Sequence, residues 1–396
     1  MIKYVLKRIA LMLVVFLIIT TICFVLVKLL PDTPAQQFGK DAAIIEQRRE
    51  QLGYNEPIPV QLVIFFVRSL VGGDWGLSEK MYLGQDVMQV FIEKLPATML
   101  VNTYTMIIAV PIGLLLGIFA ALKKNKWQDH LISTGVMVFI SVPSYVYALL
   151  VQYILCFRFP VFPMQTMSGQ DAATGGFLDD VASKFLTDFA RLFGAIGEYE
   201  IVPVTFFSEL ITPIYDFLYN LLVFIQLIPE GSKTITIDLP FSLPTLLIPF
   251  NYLTVDMFWS LVPAIIALGF GTVAGLARYT RAELCEVLTQ EYMLLARTKG
   301  LTRGQATVRH ALRNSMVPIF PMIMGEFIGI IGGSLIIEQI FGIPGVGPLY
   351  IKSITSLDYN FYMLLNCFYT AVGLASGLLV DLSYGFVDPR IRMGEK

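Results

Sequence analysis

The sequence predicts an all-α polytopic membrane protein with six transmembrane helices and one inserted, mainly helical extracytoplasmic subdomain. The 396-residue chain is 56% hydrophobic and only 15% charged, with a mean hydropathy of +0.69, a composition typical of membrane proteins. Six apolar segments are long enough to cross a bilayer core of about 30 Å at about 1.5 Å per residue. These segments are residues 9–30, 98–122, 131–157, 258–277, 317–341 and 361–386.

The positions of lysine and arginine predict how the six segments are oriented. The basic segments are residues 1–8, 123–126, 278–313 and 388–396. All of them fall on one side of the membrane in a six-span scheme, and this side is predicted to be the cytoplasm. Both termini are then cytoplasmic, and the loops at 31–97, 158–257 and 342–360 lie outside. The net charge of −2 gives no indication of a nucleic-acid partner.

The first division of the chain, 1–97, combines the first span with an ordered outer loop. The first apolar segment is long for a signal peptide and lacks a convincing small-residue cleavage site, so it is predicted to be retained. The loop contains amphipathic runs at 41–52 and 60–71, followed by a turn at 72–80. These patterns predict a folded segment rather than a linker.

The second division, 98–157, contains spans two and three. Gly113 and Gly117 form a small-xxx-small pair that is interpreted as a helix-packing surface rather than a pore lining. Pro143 predicts a kink in span three. Gly271 and Gly275 of span four are likewise interpreted as a helix contact face.

The third division, 158–257, is too long for a simple connection and is predicted to be an external subdomain. Apolar residues repeat at helical spacing over 178–196, and a short strand is predicted at 234–238. The apolar stretch 210–228 is nearly long enough to span. An extra span here would move the basic loop to the outer side, so the stretch is predicted not to cross the membrane.

The fourth division, 258–396, contains spans four to six and a polar, basic loop at 278–316. Seven cations face three acids there: Arg278, Arg281, Arg297, Lys299, Arg303, Arg309 and Arg313 against Glu283, Glu286 and Glu291. Capping-box patterns at Thr280 with Glu283 and at Thr302 with Gln305 predict two short helices. Gly300 is the predicted left-handed end of the first.

The apolar residues of this loop are spaced as one helical stripe: Leu284, Leu288, Tyr292 and Leu295. A basic amphipathic helix beside a membrane either lies on anionic lipid or docks into a groove of a protein partner. The helix pair broken at a glycine turn favours the protein partner.

Span five is rich in glycine and holds two acids. Glu326 lies well inside the predicted span, and a buried acid there is either a functional group or a packing contact. Gly329 and Gly332 on the same span are candidates for the transport pathway or for packing. Glu338 lies nearer the outer end and is interpreted as structural.

The sequence predicts no catalytic or metal-binding residue in this chain. It contains no GxxxxGK[ST] phosphate loop, and no Ser/His/Asp or metal-ligand pattern. The four cysteines lie in or beside apolar segments and are interpreted as small apolar residues.

Several stretches together resemble the first permease subunit of the oligopeptide/dipeptide family of binding-protein-dependent ABC importers. The motif ARTKGLTRGQATVRHALRNSMVPI at 296–319 is similar to the cytoplasmic signature of that family. Further matches, in family order, are EQLGYNEPIPVQ (50–61), GDWGLS (73–78), KLPATM (94–99), SVPS (141–144), ARYTRAELCEVL (277–288), FGIPGVGPL (341–349) and VDPRIR (387–392). The resemblance covers most of the chain except about 165–255, where the insertion is longer than the family leads us to expect.

The resemblance implies half of a peptide translocation pathway in a prokaryotic plasma membrane. The implied partners are a second homologous permease, two ATPase subunits and an extracytoplasmic peptide-binding lipoprotein. ATP and Mg²⁺ would be bound by the ATPases, so this chain would not itself be an enzyme. The implied coupling helix is 289–300, with contacts from Glu291, Tyr292, Leu295, Ala296, Lys299 and Gly300.

One departure from the family pattern lies in this helix, and two other functions stay open. The family often has Glu-Ala-Ala where this chain has Leu294, Leu295 and Ala296. A proton-coupled secondary transporter using Glu326 is one alternative, and a non-transporting receptor or scaffold using the 158–257 subdomain is another. Within the permease interpretation, a nickel or other small-solute substrate is also open.

Overall fold

The computed structural model describes residues 2–29, 47, 56–158, 162–166, 234–237, 246–249 and 255–387. Its helices in chain order are α1 Ile2–Leu29, α2 Ile58–Phe66, α3 Val87–Leu122, α4 Trp127–Ser141, α5 Ser144–Gln152, α6 Val255–Val287, α7 Glu291–Thr298, α8 Arg303–Ala306, α9 Leu312–Gly332, α10 Leu335–Ile340, α11 Val346–Thr355 and α12 Tyr359–Val387. Single π-helical turns extend α2 (Val67–Val71) and α5 (Tyr153–Arg158) and join α8 to α9 (Thr307–Ala311). The predicted helices at 178–196 and 210–228 lie outside the described residues, as does 41–52 apart from Gln47.

Five described helical segments are long and apolar enough to cross a membrane, and one bent pair makes a sixth if it is counted as a single span. The five are α1, α3, α6, the continuous run of α8 and α9, and α12. All five begin earlier than predicted, most clearly α3 at Val87 instead of residue 98 and the α8–α9 run at Arg303 instead of residue 317. The multi-pass membrane architecture and the all-α class are therefore confirmed.

The third span is broken rather than kinked. Helices α4 and α5 meet at an angle of 102° across Val142 and Pro143. Proline lacks a backbone N–H and disfavours helical geometry in the residue before it. Val142 accordingly adopts extended backbone angles, φ −87° and ψ 130°.

The predicted fifth span, 317–341, is wrong as one continuous helix. Helix α9 ends at Gly332, and Gly333 has φ +65°, a left-handed conformation that favours glycine. Ser334 then caps the separate short helix α10 by accepting a hydrogen bond from the Ile337 N–H at 3.4 Å. Glu338 consequently lies in α10, outside the membrane-spanning segment.

Close packing of α3 against α6 is at the centre of the helix bundle. A Cβ atom at Gly113 would lie 2.9 Å from Leu276 Cβ, and one at Gly117 would lie 2.6 Å from Thr280 Cβ. Only glycine lets the two helices approach this closely. The packing interpretation of the Gly113–Gly117 pair is confirmed.

An ion pair fixes α4 to α6. Arg281 Nε and Nη2 donate to the two carboxylate oxygens of Asp129, at 2.5 and 2.8 Å. Asp129 is fully buried and also accepts a hydrogen bond from the Asn125 N–H at 2.9 Å. Arg281 therefore belongs to the bundle and not to the free cations of the basic loop.

The 158–257 insertion contains the predicted strand. β1 (Thr234–Ile237) pairs antiparallel with β2 (Leu246–Pro249), with Ile235 opposite Ile248. The remainder of the predicted subdomain lies largely outside the described residues.

Candidate functional site

At the basic end of the bundle (residues 278–313), α6 continues further than the sequence patterns indicate. The helix runs unbroken to Val287, so Thr280 is a mid-helix residue, 1% exposed, packed against Gly117. The predicted capping box of Thr280 with Glu283 is therefore wrong, because a cap requires a helix start.

The predicted stripe of apolar residues is only partly correct. A turn at 288–290 separates α6 from α7, so the four residues do not lie on one continuous helix. Leu284, Leu288 and Tyr292 nevertheless pack in one hydrophobic cluster. Leu295 does not join them and is 57% exposed.

The glycine turn and the second capping box are as predicted. Helix α7 ends before Gly300, whose φ is +90°, and the Gly300 N–H donates to the Arg297 carbonyl at 3.0 Å. Thr302 Oγ1 accepts from the Gln305 N–H at 3.3 Å, and Gln305 Oε1 accepts from the Thr302 N–H at 3.1 Å. These contacts define α7 and α8 as two helices joined at a left-handed glycine.

One face of α7 packs onto the bundle and the other faces outward. Met293 and Ala296 are 6% exposed and join a buried cluster that also contains Ala121, Leu284, Ala306 and Ala311. Leu294 and Leu295 are 66% and 57% exposed. The buried pair anchors the helix, and the exposed pair forms an apolar surface that this chain leaves uncovered.

The six predicted coupling residues divide between these two faces. Glu291, Leu295, Lys299 and Gly300 are exposed, and Tyr292 packs at the edge of the buried cluster. The Ala296 side chain is buried against the bundle, so it supports α7 rather than facing outward. Met293 and Ala296, three positions apart, share the buried face of α7, as helical spacing requires.

Sequence reasoning did not single out Leu294 and Val308 as exposed apolar residues of the basic end. Val308 is 64% exposed on the π-helical turn that follows α8. The signal for Leu294 was available, because once Met293 and Ala296 are buried the intervening residues of an eight-residue helix must face away.

The same basic end carries five exposed cations. They are Arg297, Lys299, Arg303, Arg309 and Arg313, and none of them forms an ion pair within the residues that the structure describes. Exposed apolar side chains and unpaired cations at the same end suit a partner groove with an apolar floor and an acidic border.

The candidate pathway residues of span five lie on α9. Glu326 is half-buried and accepts a hydrogen bond from Thr272 Oγ1 of α6 at 3.2 Å. A Cβ atom at Gly329 or Gly332 would meet no described neighbour within 4 Å. Glu326 therefore makes a helix–helix contact, while the two glycines form an open part of the α9 surface.

At the opposite, glycine-rich end (residues 333–358), Glu338 is fully buried and hydrogen-bonded. Its carboxylate accepts from Thr98 Oγ1 and from the Ser334 and Gly347 N–H groups, each at 3.0 Å. Burial raises the pKa of Glu338, and the hydrogen bonds oppose that shift. These contacts agree with a structural role, and they connect the KLPATM and FGIPGVGPL motifs.

Asp358 organises the same end, and sequence reasoning did not single it out. Its buried carboxylate accepts hydrogen bonds from Ser78 Oγ at 2.6 Å and from the Lys80 and Met81 N–H groups at 3.1 Å each. Asn360 Nδ2 donates to the Leu77 carbonyl at 2.9 Å. The GDWGLS motif thus folds onto the start of α12.

All four cysteines, Cys23, Cys156, Cys285 and Cys367, are free thiols. Among the described residues, no group of three or more His, Cys, Asp and Glu side chains is arranged to hold a metal ion.

Comparison with known proteins agrees with this architecture. Residues 113–393 match the model of the binding-protein-dependent transport system inner membrane component, and residues 1–102 match the N-terminal model of such membrane components. The dipeptide transport system permease protein DppB of Bacillus subtilis is 28% identical over 398 residues, covering 100% of both chains. DppB of Lactococcus lactis subsp. cremoris is 27% identical over 99% of this chain and 100% of its own.

A third similar protein is the probable peptide ABC transporter permease protein y4tP of Sinorhizobium fredii. It is 26% identical over 98% of this chain and 99% of its own. The matched family model covers most of the chain, including both α7 and the glycine-rich end. The chain therefore belongs to the binding-protein-dependent transport system inner membrane components, the membrane permease subunits of ABC transporters.

Proposed function

We propose that this chain forms half of the translocation pathway of an ATP-driven importer of oligopeptides. Its partners are a second homologous permease, two ATPase subunits and an extracytoplasmic peptide-binding lipoprotein. ATP and Mg²⁺ bind to the ATPases, and this chain supplies no catalytic residue. The names of the similar proteins, which concern dipeptide and peptide transport, support the peptide substrate.

In this proposal the basic end lies in the cytoplasm, together with both termini. The excess of lysine and arginine there supports that orientation. The 158–257 insertion and the glycine-rich end then lie outside, where a binding protein delivers its peptide.

The exposed Leu294–Leu295 pair on α7 is the observation that carries the proposed coupling role. The helix is anchored to the bundle through Met293 and Ala296, so a force on its outer face is transmitted to α6 and α9. We propose that this face docks into a groove of an ATPase subunit. Closure of the ATPases on ATP then moves α7 as a lever, and the spans open to the outside.

The test compares two glycines four positions apart. A Cβ atom added at Gly300 or at Gly304 would meet no neighbour within 4 Å, but only Gly300 has a positive φ, +90°. A β-branched residue is strongly disfavoured at positive φ and tolerated in a helical conformation. Gly300→Val should therefore disturb the α7–α8 turn, while Gly304→Val serves as the matched control.

The measurements are peptide uptake and ATPase activity in cells that carry each variant in place of the native chain. Gly300→Val should leave ATPase subunits associated yet reduce peptide uptake per ATP hydrolysed, and Gly304→Val should resemble the native protein. Uptake at the native rate in Gly300→Val would contradict the lever assignment. Purification of the native chain without any ATPase would contradict the proposed function itself.

A further inference from the structure

A groove of about 370 Å³ opens at the glycine-rich end, between residues of α3, α10 and α11. It is lined by Tyr82, Lys94, Glu338, Gln339 and Lys352, together with residues of the 342–345 loop. Its volume falls in the range of about 300–1,000 Å³ that is usual for sites of small ligands. The proposed coupling function does not use this groove.

The groove carries positive charge that the described part of the chain does not neutralise. Lys94 is half-buried and Lys352 is exposed, and neither forms an ion pair with a described residue. The only carboxylate in the lining is that of Glu338, whose oxygens already accept three hydrogen bonds from Thr98, Ser334 and Gly347. A lysine in a groove without a counter-ion favours binding of an anion.

The acid next to Lys94 in the chain does not act as its counter-ion. Glu93 precedes Lys94 in the chain but does not line the groove, and its carboxylate accepts a hydrogen bond from Gln89 Nε2 at 3.4 Å. Burial, and secondarily the charge of Glu93, raise the pKa of the Tyr82 hydroxyl. Tyr82 therefore stays protonated and adds a neutral hydrogen-bond donor to the two lysines.

We infer that this groove binds the C-terminal carboxylate of an incoming peptide. The inference rests on the proposed function, which places this end of the bundle on the side from which peptide arrives. The carboxylate is the one negative group that every unmodified peptide has, and two ammonium groups with a phenol suit it. A peptide's amino terminus would be repelled, so the groove also orients the peptide as it leaves the binding protein.

The test uses a pair of peptides that differ only at this group, one with a free C-terminus and one with a C-terminal amide. Uptake of both is measured in cells whose complete importer contains the native chain, Lys94→Gln with Lys352→Gln, or Lys94→Arg with Lys352→Arg. Lys124→Gln, an exposed lysine at the basic end, is the distant control. The ratio of acid to amide uptake is compared between variants, so that any preference of the binding protein cancels.

The double glutamine variant should lose about tenfold in uptake of the free acid relative to the amide, the effect of one lost charge-assisted contact. The double arginine variant should keep most of the native ratio, because the charge is retained. Lys124→Gln should leave the ratio unchanged.

An unchanged ratio in the glutamine variant would overturn the inference. An equal loss for both peptides, restored by more binding protein, would overturn it as well, since the lysines would then contact an acid of the binding protein. If the native chain supports no peptide uptake at all, the failure lies with the proposed function and not with the groove.

Discussion

The two ends of the helix bundle use their side chains in opposite ways. At the glycine-rich end, two buried carboxylates, Glu338 and Asp358, have their hydrogen bonds supplied by the chain itself. At the basic end, Leu294 and Leu295 are exposed, and the five exposed cations make no described ion pair. The buried carboxylates of one end thus have their partners within this chain, whereas the apolar pair of the other end is left uncovered by the described residues.

The comparison indicates that folding stability and partner binding depend on different residues of this chain. A buried carboxylate with several donors is costly to disturb, because its removal leaves those donors without partners. An exposed apolar pair contributes little to folding, yet such residues dominate the energy of an interface when they become buried. Substitutions at the two ends should therefore change different measurements.

The largest effect is expected from Leu294→Ser combined with Leu295→Ser. The double variant should reduce ATP-driven uptake by up to roughly 1,000-fold, since each residue is a candidate interface hot spot worth about 2 kcal/mol and about 1.4 kcal/mol corresponds to a factor of ten. Thermal unfolding in detergent should be unchanged, because both side chains are exposed. Lys124→Ser with Lys126→Ser, two exposed residues in the connection between α3 and α4, is the control. A large loss of thermal stability in the leucine variant would place these residues in the fold instead.

Asp358→Ala should give the largest loss of stability. It leaves Ser78 Oγ and the Lys80 and Met81 N–H groups without their acceptor, at a cost of about 3 kcal/mol. Asp86→Ala is the matched control, because Asp86 caps α3 by accepting one hydrogen bond from the Gln89 N–H. Loss of that cap should cost about 1 kcal/mol. Chemical or thermal unfolding of the purified chain measures both, and equal losses would contradict the central role of Asp358.

Gly117→Ala should cost about 2 kcal/mol by overpacking the contact between α3 and α6. The added methyl would lie 2.6 Å from Thr280 Cβ and 2.7 Å from the Ala277 carbonyl oxygen. Gly135→Ala is the control, since a Cβ there meets nothing within 4 Å and alanine favours a helix. The unfolding temperatures of the two variants should thus move apart, and similar shifts would argue against close packing at Gly117.

The smallest effect is a pH dependence at Glu338. Its folded-state pKa lies above the ordinary value of 4.5, so the folded chain retains a proton that the unfolded chain releases. The contribution of this group to stability is thus greatest at and below the ordinary pKa. It decreases as pH rises through the folded pKa and is constant above it. Glu338→Gln should be less stable overall, but this decrease should be absent from its unfolding measured as the pH is raised above 4.5. An identical pH profile in both proteins would show that Glu338 does not titrate in this way.

Local patterns predicted the features that depend on a few neighbouring residues. The left-handed Gly300 and the Thr302 capping box agree with the structure, and the six predicted apolar segments agree if the bent α4–α5 pair is counted as one span. Each of these follows from segment length, from the φ angles that glycine allows, or from a side chain three residues away. The capping box predicted at Thr280 has the same sequence pattern as the correct one at Thr302. It does not form because Thr280 packs against Gly117 in the middle of the continuous helix α6.

The sequence by itself thus determined the membrane class, the family and the glycine turn of the basic loop, because composition, motifs and local backbone preferences are all present along the chain. Only the tertiary structure decided which face of α7 is anchored and which leucines are exposed. It also decided that Asp129, Glu338 and Asp358 are buried with partners 152, 240 and 280 residues away. Such contacts join segments far apart in the chain, and no local pattern encodes which of them will meet.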